Sequence, residues 1–361
     1  MKKFLIIVRN IVIITIAITV LIASIRKIND IRYKPKGYDP SKPYNAKNLS
    51  QYNTDIDGVQ VSRIIGDYMN GFRLLPEHKT HKGVLVTFGG SEGSPSYEFA
   101  ELFAQEGYEV LALFFFGMDN QQPDLVNVPL DFFKEVLAYI DENVDTHSDK
   151  ETPGKTPITV YGASKGAELA LNLAVIYPEI DNIVVMAPGA WSFMGLPKQY
   201  SQKMYASWTL GGKEVPYIDM SKGDLKIVAS LFLDFLLNRP IDYRPGYESA
   251  SMKDPNSELA RIKVENTKAN ILIFAGDDDK MWHSEVSAKI IQEHRPKHTE
   301  VHIFEGAGHV FSLGEYIYSP GMILEMGGSA EANKKAAEAS YRIFMENMEE
   351  WHGKQVGDGM D

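Results

Sequence analysis

The chain has 361 residues, 44% of them hydrophobic, which is enough to bury the core of one large α/β domain. Its formal net charge of -11 argues against nucleic acid as a partner, because binding to a phosphate backbone needs a basic face. The sequence contains no cysteine, which excludes disulfides, cysteine-ligated zinc and a thiol nucleophile.

Residues 1–36 form an apolar N-terminal segment with basic flanks. From Phe4 to Ile25 the segment would span about 33 Å as a helix, enough for the roughly 30 Å hydrocarbon core of a bilayer, with Arg9 snorkelling toward the near interface. We therefore expect a membrane anchor, with the lipid bilayer as a partner. The alternative is a signal peptide whose cleavage releases a secreted protein, although no small-x-small site follows Leu21. Basic residues on both sides leave the orientation open.

The rest of the chain divides into a linker, one large domain and a short tail. Residues 37–55, in a stretch rich in Pro, Asn, Lys and Tyr, predict a linker. The folded domain is expected at 56–352 and the tail at 353–361. At the start of the domain, Val59–Ile65 and Phe72–Leu75 predict an antiparallel hairpin at a sheet edge.

Short apolar runs then alternate with helical patterns. The runs are nearly continuous in apolar residues, as is typical of strands covered on both faces, and they are Gly83–Phe88, Glu109–Phe114, Pro157–Tyr161, Asn182–Ala187, Asn270–Ala275 and Glu300–Phe304. The helical patterns are Tyr97–Glu106, Leu130–Asn143, Ala167–Tyr177, Ser284–His294 and Ala330–Trp351. This alternation predicts a mostly parallel sheet flanked by helices, with right-handed crossovers.

One interval breaks the alternation. About eighty residues, 188–267, separate the strands at 182–187 and 270–275, and they include the apolar helical pattern Leu225–Leu237. A loop of that length without structure of its own is uncommon in a compact domain, so we expect an inserted cap over the carboxyl edge of the sheet.

The pentapeptide at 162–166 has the pattern G-x-S-x-G and lies between a predicted strand and a predicted helix. A sharp strand-to-helix turn would project the Ser164 hydroxyl at the sheet edge, and flanking glycines allow the close backbone packing that such a turn needs. The pattern alone also matches ordinary solvated serines. Its position between strand and helix favours Ser164 as a nucleophile.

A serine nucleophile needs a base to take its proton and an acid to orient that base. His309 follows the strand at 300–304 in the sequence EGAGH, and the other eight histidines are less well placed. Three aspartates, 277–279, follow the strand at 270–275, and we prefer Asp279 as the acid, with Asp278 as the alternative. The order Ser, Asp, His is that of α/β-hydrolases.

Two backbone N–H groups should form an oxyanion hole. One is expected from Lys165, directly after the nucleophile, and the other from Gly90 or Ser91 in the sequence GGSEG after the first long strand. The i and i+3 spacing of Lys165 and Glu168 predicts that their side chains form a pair on the helix surface. This chemistry is assigned no metal and no cofactor.

The sequence resembles the C-terminal catalytic domain shared by acyl-CoA thioesterases and bile acid-CoA:amino acid N-acyltransferase. The matching stretches are Gly83–Gly93, Gly107–Phe115, Gly162–Leu169, Ile262–Trp282 and Phe304–His309. Within them, the runs SKGAE, beginning at Ser164, and D-x-x-W, beginning at Asp279, carry the resemblance more specifically than the pentapeptide does. The resemblance covers roughly residues 83 to 350. It implies a triad that cleaves an acyl thioester, falling here on Ser164, Asp279 and His309.

The expected function is therefore hydrolysis of an acyl ester or thioester through an acyl-enzyme, in the manner of an acyl-CoA thioesterase. Serine, where the amino acid transferase has cysteine, favours release of the acyl group to water. Relatives with the full architecture carry an immunoglobulin-like domain before the hydrolase, and its part in acyl-CoA recognition is not carried over to this chain. A membrane-tethered carboxylesterase, or a hydrolase fold retained only for binding, are the alternatives.

Overall fold

A computed structural model describes residues 2–39, 44–144, 156–198, 203–311, 314–319 and 321–353. Residues 40–43 of the predicted linker and 354–361 of the predicted tail lie outside the described residues.

The strands and helices alternate through most of the domain. The strands are β1 (Val59–Ile65), β2 (Asn70–Pro76), β3 (Val84–Phe88), β4 (Val110–Phe114), β5 (Val128–Pro129), β6 (Ile158–Ala163), β7 (Asn182–Met186), β8 (Trp208–Leu210), β9 (Lys213–Glu214), β10 (Pro240–Ile241), β11 (Asn270–Gly276), β12 (Thr299–Phe304), β13 (Tyr316–Ser319) and β14 (Met322–Glu325). The helices are α1 (Lys2–Tyr33), α2 (Tyr97–Gln105), α3 (Phe133–Asn143), α4 (Lys165–Ile176), α5 (Leu225–Leu237), α6 (Arg244–Lys253), α7 (Ser257–Ala260), α8 (Ser284–His294) and α9 (Ala330–His352).

An eight-stranded sheet forms the centre of the domain, in the order β1-β2-β4-β3-β6-β7-β11-β12. The first two pairings are antiparallel and all pairings from β4 to β12 are parallel. Every residue of β3, β4 and β7 is buried, which explains why their sequences lack a polar alternation. The predicted α/β-hydrolase fold is confirmed.

The insertion between β7 and β11 has secondary structure of its own. It contains β8 to β10 and α5 to α7, and β8 joins β5 and β9 in a small second sheet. Trp208, on β8, is fully buried, so this part of the insertion packs firmly on the domain. In contrast, every residue of α5, a helix described along its whole length, is at least partly exposed.

A hairpin formed by β13 and β14 follows the loop that carries His309, and the sequence analysis missed it. The two strands pair antiparallel, and β14 pairs in parallel with β10 of the insertion. The hairpin therefore ties the end of the His309 loop to the inserted segment.

Helix α1 is long and apolar enough to cross a membrane by length and composition, a test that a signal sequence also passes. Side chains from Lys3 to Leu21 are exposed, while partly buried residues recur from Ile22 onward at helical spacing. The end of the helix contacts the domain, since the Tyr318 hydroxyl donates a hydrogen bond to Asp30 at 2.5 Å. Part of the predicted linker is also packed, because Ala46 is buried.

Candidate active site

Ser164 lies on a sharp turn between β6 and α4. Its backbone has φ 54° and ψ -118°, a region that a residue other than glycine rarely adopts. The Ser164 N–H donates to the carbonyl of Met186 at the end of β7, at 2.9 Å, and its own carbonyl accepts the N–H of Ala167. The turn thus ends one strand, begins one helix and presents the serine at the carboxyl edge of the sheet.

The glycines of the pentapeptide are required by close backbone contact. A Cβ on Gly162 would lie 2.0 Å from the carbonyl oxygen of Gly166, and a Cβ on Gly166 would lie 2.0 Å from the carbonyl oxygen of Gly89. Both contacts are with backbone atoms, which cannot move aside as a side chain can. Larger residues at either position would therefore force the turn open.

Asp279 and His309 are in direct contact. The imidazole Nδ1 lies 2.9 Å from Asp279 Oδ2, and both side chains are almost fully buried. The same carboxylate oxygen accepts the Ser284 hydroxyl at 2.7 Å, and the other oxygen accepts the backbone N–H groups of Met281 and Trp282. With Nδ1 donating its proton to Asp279, Nε2 is left as the acceptor, the form that a general base needs.

The neighbouring aspartates have other partners. Asp278 pairs with the Lys280 ammonium at 2.8 Å and accepts the N–H of Gly328. Asp277 accepts the N–H of Gly306 at 2.7 Å. Asp279 is thus the member of the three that contacts His309, in the arrangement predicted for the acid.

The loop that carries His309 is held in a strained conformation. Val310 and Phe311 have φ of 51° and 48°, which is unusual for a β-branched or bulky residue. The His309 N–H donates to the carbonyl of Met326, just beyond β14, at 2.8 Å. A Cβ on Gly308 would lie 2.1 Å from the carbonyl oxygen of Gly327, so the small residue before His309 allows the two segments to touch.

Trp282 connects the contact between Asp279 and His309 to the end of β7. Its indole N–H donates to the carbonyl of Ala187 at 3.0 Å, and its ring packs edge-on against His309 with centroids 5.8 Å apart. Ala187 directly follows Met186, the residue that accepts the Ser164 N–H. The D-x-x-W pattern therefore places a tryptophan between His309 and the strand beside Ser164.

The backbone N–H groups of the two predicted oxyanion donors differ in whether they already have a hydrogen-bond acceptor. Lys165 is the first residue of α4, where a backbone N–H has no acceptor within the helix. Gly90 lies against Ser164, since a Cβ there would be 3.4 Å from Ser164 Cβ, but its N–H donates to the carboxylate of Glu92 at 2.9 Å. The assignment of Gly90 or Ser91 as the second donor stays a prediction.

The side chains of Lys165 and Glu168 form a buried ion pair, so the prediction of a surface pair was wrong. Lys165 Nζ lies 2.8 Å from Glu168 Oε2 and 2.9 Å from the Ser207 hydroxyl. Glu168 Oε1 accepts the indole N–H of Trp208 at 2.6 Å and the N–H of Phe193 at 3.0 Å. Ser207, Trp208 and Phe193 all belong to the insertion. The pair is buried because the insertion covers this face of α4.

Burial acts on both charges of this pair. Desolvation lowers the pKa of Lys165 and raises the pKa of Glu168, and the attraction and hydrogen bonding between the two groups oppose both shifts. The hydrogen bonds from the insertion also favour the charged carboxylate. The ion pair therefore depends on the insertion staying in place.

Arg244 attaches the insertion to the loop that contains Asp279. Its guanidinium donates to the carbonyl oxygens of Asp277 and Asp279, at 3.4 and 3.3 Å, and pairs with the carboxylate of Glu285 on α8. The Arg244 backbone N–H also donates to the carbonyl of Lys280 at 2.9 Å. The insertion thus holds both the helix behind Ser164 and the turn that contains Asp279.

A family model described as BAAT / Acyl-CoA thioester hydrolase C terminal matches residues 128–342, more than half of the chain. The chain belongs to this family. The match includes Ser164, Asp279 and His309, as well as the whole insertion.

Curated relatives agree with the family. The chain is 25% identical over 257 residues to the mitochondrial acyl-coenzyme A thioesterase 2 of Homo sapiens, which covers 70% of this chain and 46% of that protein. It is 26% identical over 274 residues to the peroxisomal succinyl-coenzyme A thioesterase of Mus musculus, covering 73% and 58%. The chain thus spans about half the length of these relatives.

Among solved structures, the chain is similar to a putative dienelactone hydrolase from Klebsiella pneumoniae. The TM-score is 0.47 and the sequence identity 12%, over 80% of this chain and 99% of that one.

Replacing Lys165 by Met tests the buried pair. The variant leaves the Glu168 carboxylate buried without its counter-charge, so we expect the free energy of unfolding to fall by about 3–5 kcal/mol. Lys134→Met is the matched control, because Lys134 and Asp131 have the same i, i+3 spacing but lie on the surface, where a pair contributes less than about 1 kcal/mol. Urea unfolding of both variants measures the difference, and equal losses would show that burial of the pair has no effect.

The loss in Lys165→Met should also depend on pH. Burial raises the pKa of Glu168, so the folded variant binds a proton that the unfolded chain releases. Stability is then retained at pH values below the ordinary glutamate pKa and lost as the pH rises above it. Unfolding at pH 5 and pH 8 should show the larger loss at pH 8, and a loss independent of pH would contradict the assignment.

Proposed function

We propose that this protein hydrolyses an acyl ester or thioester, with Ser164 as nucleophile, His309 as general base and Asp279 as the acid that orients the base. The observation that carries the proposal is the 2.9 Å contact between His309 Nδ1 and Asp279 Oδ2 at the sheet edge where the Ser164 turn also lies. The acid follows β11 and the base follows β12, two adjacent parallel strands, so both loops emerge on the same side.

The proposed reaction has two halves. Ser164 Oγ attacks the acyl carbonyl carbon while its proton passes to His309 Nε2, and Asp279 stabilises the imidazolium that forms. The tetrahedral intermediate expels the thiolate or alkoxide, which takes the proton from Nε2, leaving the acyl group on Ser164. Water then attacks in the same way, giving the free acid and restoring the serine.

The Lys165 N–H is the first donor to the negative oxygen of the intermediate. It lies at the N-terminus of α4, where the helix dipole also favours negative charge. The second donor would come from Gly90 or Ser91. For Gly90 to act as this donor, its N–H must release the Glu92 carboxylate and donate to the oxyanion instead.

An acyl-CoA thioester is the substrate class that the relatives support best, because the proteins to which the chain is similar are named acyl-coenzyme A thioesterases. We also propose that α1 anchors the domain to a membrane. Acyl-CoA is an intracellular compound, so the substrate depends on which side of that membrane the domain faces. A domain facing outward would act on another acyl ester.

Ser164→Ala tests the nucleophile. The variant lacks the attacking hydroxyl, so turnover of short activated esters and of acyl-CoA should fall at least about 10⁴-fold, and labelling by a fluorophosphonate should disappear. Assays use the full chain in detergent or nanodiscs, with unfolding curves to show that the fold is retained. Undiminished turnover or labelling would reject Ser164 as the nucleophile, whereas no turnover by the unaltered chain would favour a binding role for the fold.

The choice between the two aspartates is tested by Asp279→Asn and Asp278→Asn. Asparagine at 279 can no longer hold His309 in the tautomer with a basic Nε2, so kcat should fall about 10³- to 10⁴-fold. Asparagine at 278 should leave kcat within about threefold, because Asp278 pairs with Lys280 and not with the imidazole. The reverse order of effects would assign the acid to Asp278.

The orientation of the domain can be read from one introduced thiol, because the chain has no cysteine. Ile65→Cys places the thiol on β1, at a position whose native side chain is 69% exposed. If the substrate is acyl-CoA, a maleimide that cannot cross membranes should label this thiol only after the cells are permeabilised. Labelling on intact cells would exclude acyl-CoA and favour an ester outside the cytosol.

A further inference from the structure

Helix α5 exposes an apolar face to solvent. Leu225, Phe232 and Leu233 are exposed by 80%, 63% and 45%, and their spacing of i, i+7 and i+8 places them on one side of the helix. Lys226 and Asp234 are its only charged residues. A contiguous apolar face of this kind marks a surface that interacts with a protein or a membrane.

The C-terminal end of α5 is attached to α1. Arg26 Nη1 donates to the carbonyl oxygens of Phe235 and Leu236, both at 2.8 Å, and the Asn29 side chain donates to the carbonyl of Leu237 at 2.9 Å. Carbonyls in the last turn of a helix lack partners within the helix, and a cation there is favoured by the helix dipole. The attachment is therefore specific in both geometry and charge.

The attachment lies close to the point where α1 would leave a bilayer. The exposed part of α1, Lys3–Leu21, is about 28 Å long as a helix, close to the roughly 30 Å of a hydrocarbon core. Arg26 lies about 7 Å further along, within the headgroup layer that adds roughly 5–8 Å on each side. The end of α5 is thus at the depth of the headgroups if α1 crosses the membrane.

Basic residues follow the apolar part of α1, close to Arg26 in the sequence. Lys27, Arg32, Lys34 and Lys36 follow the apolar run, with Asp30 as the one acid between them, although the whole chain carries a net charge of -11. Basic residues next to a membrane helix are attracted to anionic headgroups. An apolar helix face beside them is the composition of a helix that lies in the membrane interface.

We propose that α5 lies in the interfacial layer of the bilayer that α1 crosses, with Leu225, Phe232 and Leu233 facing the acyl chains. The inference rests on the membrane anchor proposed above and is independent of the catalytic assignment. It makes the insertion a second membrane contact, fixed to the first through Arg26 and Asn29.

Spin labels on single cysteines test the depth of α5. Phe232→Cys is labelled with a nitroxide in the full chain, reconstituted in vesicles of phosphatidylcholine and phosphatidylglycerol. Collisions with oxygen, which concentrates in the acyl chains, are compared with collisions with a water-soluble nickel chelate. Ile65→Cys is the matched control, because Ile65 is 69% exposed and Phe232 63%, and Ile14→Cys reports on α1 itself.

The ratio of oxygen to nickel accessibility should be at least about fivefold higher for the label at position 232 than for the label at position 65, and higher still at position 14. A ratio at 232 equal to that at 65, with 14 in hydrocarbon, would overturn the inference and leave the anchor in place. A water-exposed label at 14 would overturn both. A label at position 232 could instead be shielded from both reagents, with its spectrum broadened by a second nitroxide. That result would also overturn the inference, since a second copy of the chain would then cover α5. Thermal unfolding checks that each labelled variant is folded.

Discussion

The ion pair between Lys165 and Glu168 joins the helix that follows Ser164 to the insertion that covers it. Both groups are buried, and two opposite charges in such a place are stable only when their hydrogen-bonding capacity is used. Glu168 uses it on Trp208 and Phe193, and Lys165 on Ser207, all of which belong to the insertion. The insertion therefore cannot leave α4 without exposing or isolating a charge next to Ser164.

The same insertion holds the loop that contains Asp279, although the two contacts are far apart in the chain. Arg244 binds the carbonyl of Asp279 itself and the carboxylate of Glu285 on the following helix. β10 pairs with β14, beyond which Met326 accepts the N–H of His309. Ser164, Asp279 and His309 come from three separate loops, and each loop has a direct or adjacent contact with this one segment. The geometry of the site is thus a property of the packed insertion as well as of the sheet.

The sequence predicted the sheet and its helices closely because continuous apolar runs leave few alternatives. Ser284–His294 and Leu225–Leu237 match the observed helices residue for residue, and Val59–Ile65 matches β1 in the same way. The ends of the other predicted strands differ from the observed ends by at most two residues. The hairpin β13–β14 was missed, although Pro320-Gly321 between two apolar runs is a turn signal. It was overlooked because the alternation of strand and helix favoured a direct passage from β12 to α9.

The site was predictable only as far as local pattern extends. The three aspartates have the same local signal, and contacts with Lys280, Gly306 and His309 distinguish them. Likewise, the i, i+3 spacing of Lys165 and Glu168 is the same for a surface pair and a buried one, and Trp208, forty residues further on, decides between them.

The backbone at the site has the same dependence on distant contacts. Ser164, Ala187, Val310 and Phe311 all have positive φ, a conformation that costs residues other than glycine about 1–3 kcal/mol each. Nothing in their side chains favours it. Hydrogen bonds from Ser164 to Met186 and from Ala187 to Phe274, on neighbouring strands, hold two of these residues in place. The turns at Ser164 and Ala187 are thus held by the buried parallel strands beside them, so the positions of these two residues follow from the sheet order and not from their side chains.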